Sequence, residues 1–231
     1  MPKGRKPPAP KRQQLLVEGK NDQHVIWALC EQHQVPETFS VEVPQEENPQ
    51  EENIEESAET TQGIEVLLRG LSARLKEPNL QTLGIVVDAD QNLLARWDAV
   101  RNRLRDSGYQ NIPGSPPAEG WVYAPPELPR VGVWLMPNNQ LPGMLEDFVA
   151  HLIPSDDTLY PKAQTIVQEI ELAGLNRYTS VHRPKALIHT WLAWQKTPGM
   201  PMGQAITARV LSYNSPIAIA FVRWLNYLYQ F

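Results

Sequence analysis

Apolar residues in this chain follow two periods in turn. QLLVEG (14–19) is a short apolar run ended by glycine, the mark of a buried strand. In DQHVIWALCEQH (22–33), Val25, Ile26, Leu29 and Cys30 recur on one helical face. FSVEV (39–43) alternates and predicts a second strand, and GIEVLLRGLSARLKE (63–77) predicts a helix with Ile64, Leu67, Leu68, Leu71 and Leu75 inward. LQTLGIVVDAD (80–90) holds the run Leu83-Gly84-Ile85-Val86-Val87, apolar at successive positions as in a central parallel strand covered on both faces. LLARWDAVRNRLRDSG (93–108) follows as a helix with Gly108 as its C-terminal cap. GWVYAPP and RVGVWLMPN predict strands near 120–124 and 131–136, and GMLEDFVAHLI (143–153) a helix. The last stretch is helical by pattern and closes with PIAIAFVRWLNYLY, where Pro216 suits a first helical position.

Strands alternating with helices predict an α/β fold with a mostly parallel sheet flanked by helices. The expected organisation is a basic tail over 1–12, an α/β domain over 13–155 and a helical C-terminal extension over 156–231 packed on the same domain. PQEENPQEEN, a five-residue unit written twice, marks 44–60 as an acidic, mobile insert. The net charge of −5 is concentrated there: residues 46–59 hold seven glutamates and no basic residue, and without them the chain stands at +2. The tail carries Lys3, Arg5, Lys6, Lys11 and Arg12, which can touch nucleic-acid phosphates without reading sequence. No apolar run approaches the ~20 residues of a membrane span. The first residues lack the apolar core of a secretory signal, so a cytoplasmic location is expected. A single cysteine, Cys30, excludes an internal disulfide and a multi-cysteine zinc site; it reads as a small buried apolar residue.

In parallel sheets chemistry gathers at the carboxyl ends of the strands. Glu18 ends the first predicted strand, and Asp88 and Asp90 end the central one. If those strands are neighbours, three carboxylates converge, and Asp22, one helical turn on, can lean into the same space. Acids so crowded share protons or need a cation. Oxygen ligands that do not cage the ion suit Mg²⁺ or Mn²⁺. Side chains at i and i+2 of an extended segment share a side, so Asp88 and Asp90 are expected to face one ion. The competing readings are a helix cap for Asp22 and an Asx-turn for Asp90.

The conjunction of Val17-Glu18-Gly19, with Asp22 after it, and Val87-Asp88-Ala89-Asp90 resembles the Toprim domain family over roughly residues 13–153. Toprim domains occur in topoisomerases, bacterial primases, maturases resembling RNase M5, recombination proteins and overcoming-lysogenization-defect nucleases. LPGMLEDF (141–148), and Lys185 in RPKALIHTWLA, look like later segments of small stand-alone members. The resemblance implies a Rossmann-like Toprim sheet and a Mg²⁺- or Mn²⁺-dependent, nuclease-like cleavage of phosphodiesters in DNA or RNA. Glu18, Asp88 and Asp90 would hold one ion, with Glu18 alternatively a general acid or base. Asp22 and Glu146, with Asp147 as a further candidate, would serve a second ion. Lys185 would offset charge on the reacting phosphate, and Gly19, Lys20 and Lys185 would contact phosphate or nucleic acid.

The chain departs from several members. It has no GxxxxGK[ST] loop, no cysteine zinc ribbon and no tyrosine in a recognisable DNA-linking context. One rival reading is a non-catalytic module that binds metal and nucleotide or nucleic acid and works with a separately encoded protein partner. Another is a haloacid-dehalogenase-like phosphatase, disfavoured because its Asp-x-Asp belongs on the first strand. Trp191, Trp194, Trp224, Tyr227 and Tyr229 are spaced as helix-packing residues, with base stacking as the alternative.

Overall fold

A computed structural model describes residues 12–44 and 58–231. The expected basic tail and acidic insert lie almost wholly outside the described residues. Five strands form one sheet: β1 (Gln13–Leu16), β2 (Ser40–Glu42), β3 (Thr82–Asp88), β4 (Trp121–Tyr123) and β5 (Arg130–Met136). Their order is β2-β1-β3-β5-β4. β1 runs parallel to both β2 and β3, and β3 parallel to β5, while β4 alone pairs antiparallel, with β5. The chain is therefore α/β with a mostly parallel sheet flanked by helices. β1 stops at Leu16, short of the expected 14–19, although the Val17 amide still donates to the Glu42 carbonyl at 3.0 Å.

The continuous apolar runs are explained by two covered faces. Leu15, Val17, Val86, Trp134 and Met136 enter one core, and Leu16, Ile85, Val87, Val133 and Leu135 the other. On the second face lie α2 (Ala58–Arg74) and α3 (Leu93–Asp106), through Leu67, Leu71, Trp97 and Val100. On the first lie α1 (Lys20–Gln32) and the elements after β5: α4 (Leu145–Ala150), α5 (Leu159–Leu172), α6 (Arg183–Ala193), α7 (Met202–Thr207) and α8 (Pro216–Tyr229). The predicted helix over 143–153 is shorter than expected, because Gly143 has a φ of +143° and Met144 is extended. Among the described residues no helix is long and apolar enough to cross a membrane.

The C-terminal helices complete a layer rather than decorate a finished domain. Gly84 and Gly132 face each other across β3 and β5, and together they leave a trough for α8. A Cβ at Gly132 would stand 2.8 Å from the Leu228 side chain, and one at Gly84 2.8 Å from the Tyr229 hydroxyl. That hydroxyl donates to the Gln14 carbonyl at 2.7 Å. Of the five tail aromatics, Trp191, Trp224 and Tyr229 are buried, whereas Trp194 and Tyr227 are exposed. Trp224 packs against Trp134 and Phe221 and donates from its indole to the Trp121 carbonyl. Trp224→Ala should cost about 3–5 kcal/mol, the usual range for a large aromatic removed from a core. Urea unfolding checks this, and a cost below about 1 kcal/mol would mean that α8 is not integral to the sheet's cover.

Candidate functional site

Chain direction selects the place. From β1 the chain crosses through α1 to β2 on one side, and later through α2 to β3 on the other. A parallel sheet opens a crevice where successive crossovers diverge, at the carboxyl ends of its strands. Glu18 lies two residues past β1, Asp88 is the last residue of β3, and Glu146 is the second residue of α4, soon after β5. Asp22 is the third residue of α1. Asp22, Asp88 and Glu146 are all less than a tenth exposed. Glu18 is partly exposed as a residue, but its Oε2 is shut off from solvent and has no hydrogen-bond partner.

Backbone amides fix these acids. Glu18 Oε1 accepts from the Asp88 amide at 2.7 Å, and Asp88 Oδ1 accepts from the Leu145 amide at 2.9 Å. The first bond ties the β1 loop to β3, and the second ties β3 to the start of α4. Asp22 Oδ2 accepts from the Gly19 amide at 3.1 Å, and Asp147 Oδ2 from the Met144 amide at 2.9 Å. Both thereby satisfy otherwise unpaired amides at a helix start. Gly63 of α2 lets that helix reach the turn, since a Cβ there would stand 2.9 Å from the Glu18 carbonyl oxygen.

Burial and mutual repulsion suppress the acidity of the group. Glu18 is pushed up to about 8, first by burial, then against the pull of the Asp88 amide by the negative charges of Asp22 and Asp90. Asp22 rises to about 7 through burial and Glu146, with the Gly19 amide and Lys185 opposing. Asp88 lies well above the usual carboxylate range through burial and then through Glu18, Asp22, Glu146 and Asp90. Glu146 is raised by burial and held back by Lys185 of α6 and by His182. The acids therefore share one electrostatic environment, contributed by four separate parts of the chain.

Asp90 departs from the expected arrangement. β3 ends at Asp88, and Asp90 has a φ of +50°, so the extended i, i+2 geometry that would aim both aspartates one way is broken. Asp90 pairs through its backbone with Gly143, and its carboxylate forms an ion pair with Arg96. Lys20 is exposed at the start of α1, and the Gly19 amide is engaged by Asp22. Lys185 is partly buried and faces Asp22 and Glu146. Among the described residues, no three His, Cys, Asp or Glu side chains close around one point as metal ligands.

Residues 12–230 match the family model described as "Protein of unknown function (DUF3226)". The chain belongs to the DUF3226 family. No curated protein and no solved structure matches it.

Two basic residues of this DUF3226 chain, Arg96 and His182, were not singled out from the sequence. Arg96 lies one helical turn beyond Asn92, the N-cap of α3, and reaches back to Asp90 while lowering the pKa of Glu18. His182 closes the short 3-10 turn Ser180–His182 just before α6 and lowers that of Glu146. An arginine on the helix after an Asp-x-Asp strand end was a usable signal for the first. For the second, only the fold brings residue 182 to the sheet.

Carboxyl groups with raised pKa values bind more protons folded than unfolded between the ordinary range and about 8. Their contribution to stability is complete below pH ~4 and is lost as pH rises through 7 to 8. In chelator, the melting temperature should fall by several degrees between pH 5 and 8.5. Asp88→Asn should flatten that profile and raise the temperature at pH 8. A flat wild-type profile would show that neither burial nor mutual repulsion raises these acids.

Proposed function

We propose that this protein is a Mg²⁺- or Mn²⁺-dependent phosphodiester-cleaving protein of Toprim type, acting on nucleic acid in the cytoplasm. The observation that carries the reading is Glu18 Oε2, a buried carboxylate oxygen without a partner, beside Asp22 and Asp88 at the divergence of the crossovers. A buried orphan of this kind is costly unless something satisfies it. Hard carboxylate oxygens fit a divalent cation that keeps waters and takes further ligands from substrate phosphates.

Glu18 and Asp88 would hold the first ion and Asp22 and Glu146 a second. Bound there, such ions neutralise the acids and supply a water of lowered pKa. The remaining work falls to the chain's own residues. The Asp88 and Leu145 amides keep two carboxylates oriented without reorganisation. Lys185 faces the acids from α6 and would hold the negative charge that builds on a reacting phosphate. Asp90, turned toward Arg96, acts through that arginine rather than as an equal partner of Asp88.

Calorimetric titration with Mg²⁺ and Mn²⁺, run beside cleavage of labelled single- and double-stranded DNA and RNA, tests the proposal. Asp88→Asn should lose both metal binding and cleavage. Lys185→Met should keep the metal and lose roughly 10²-fold or more in rate. Cleavage that survives Asp88→Asn overturns the assignment. The second reading is a non-catalytic module that works with a separate protein partner and whose bound ion is completed by a nucleotide's phosphates. Metal binding only in the presence of nucleotide, with no cleavage, identifies that case.

A further inference from the structure

Beside the acids lies a cleft of about 550 Å³, within the ~300–1,000 Å³ typical of small-molecule sites. One wall is a single face of α3: Asn92, Ala95, Arg96 and Ala99 stand at i, i+3, i+4 and i+7. Two alanines on that face leave room beside the arginine. Met144 and Val181 supply apolar surface from other elements, and His182 brings an imidazole. Gln91 and Asn92 add amides, and the Asn92 oxygen already accepts from the Ala95 amide, so what Asn92 has to offer is its NH₂ donors. Arg96 Nε is buried and has no hydrogen-bond partner, although another nitrogen of the same guanidinium pairs with Asp90. Arg96 nevertheless lines the cleft and brings positive charge to its wall, which attracts an anionic oxygen.

We infer that this cleft binds one nucleotide, its phosphate toward Arg96 and His182 and its base and sugar along the Ala95–Ala99 face of α3. Apolar floor, amide edge, guanidinium and imidazole match a flat heterocycle with polar edges joined to a phosphate. The inference rests on the proposed function for its purpose, since Arg96 joins the cleft to Asp90 and Glu18, but it concerns residues that hold no metal. Two sources carry this chemistry: a free nucleoside phosphate, and an unpaired nucleotide of a single strand. A base stacked in a duplex cannot enter without being turned out.

Equilibrium binding of AMP and CMP, with inorganic phosphate as comparator, tests the cleft in chelator, so that metal binding is not required. Wild type should bind a nucleoside monophosphate at least tenfold more tightly than phosphate. Ala99→Phe should erase that advantage while leaving phosphate affinity and calorimetric Mg²⁺ binding unchanged. Ala95→Phe, at an exposed position of the same face, serves if Ala99→Phe folds poorly. A ten-nucleotide single strand that outcompetes AMP identifies a polynucleotide as the source, and one that does not identifies the free nucleotide. Equal binding of AMP and phosphate, or AMP binding untouched by a phenylalanine at either folded position, overturns the inference. Loss of Mg²⁺ binding in wild type would instead defeat the phosphodiesterase reading and leave the cleft result standing.

Discussion

The site depends on two backbone amides that donate to carboxylates: Asp88 to Glu18, and Leu145 to Asp88. Each bond satisfies a main-chain donor with an acid from the next segment, so the loop after β1, the end of β3 and the start of α4 hold one another. The same bonds keep the acids close despite their repulsion. Hydrogen bonding by main-chain amides favours the charged form, yet burial outweighs it, and Glu18 and Asp22 remain well above the ordinary range. The arrangement sacrifices some stability in the cation-free state for a fixed cluster of oxygens.

Much of this was legible in the sequence because the signals were local. The unbroken run before Asp88 marked a central strand, and the order of strand ends brought Glu18 and Asp88 to one edge. Asp22 followed from its place one helical turn past Glu18 and Glu146 from the family resemblance alone, and both are buried. What sequence could not supply was backbone direction beyond a strand. Extended geometry through residue 90 would aim both aspartates one way, whereas a left-handed residue and a pairing with Gly143 turn the Asp90 carboxylate to Arg96. Nor could periodicity show that residues 182 and 185 return to the sheet, since that follows from how the C-terminal helices pack.

Those helices are therefore part of the chemistry as well as of the core. α8 occupies the trough made by Gly84 and Gly132, and α6 carries Lys185 to the acids. The first face of the sheet is covered mainly by residues after β5.

The bond from the Tyr229 hydroxyl to the Gln14 carbonyl has a consequence for biosynthesis. It joins points 215 positions apart, and contacts of such long range form late because a large loop must first be closed. Domains emerge from the ribosome N-terminus first. Glu18, Asp22 and Asp88 are thus synthesised well before Lys185 and the helix that covers β3. Any interval in which the nascent chain is held incomplete leaves an apolar sheet face open, making that stage the one at which this protein most needs shielding from aggregation.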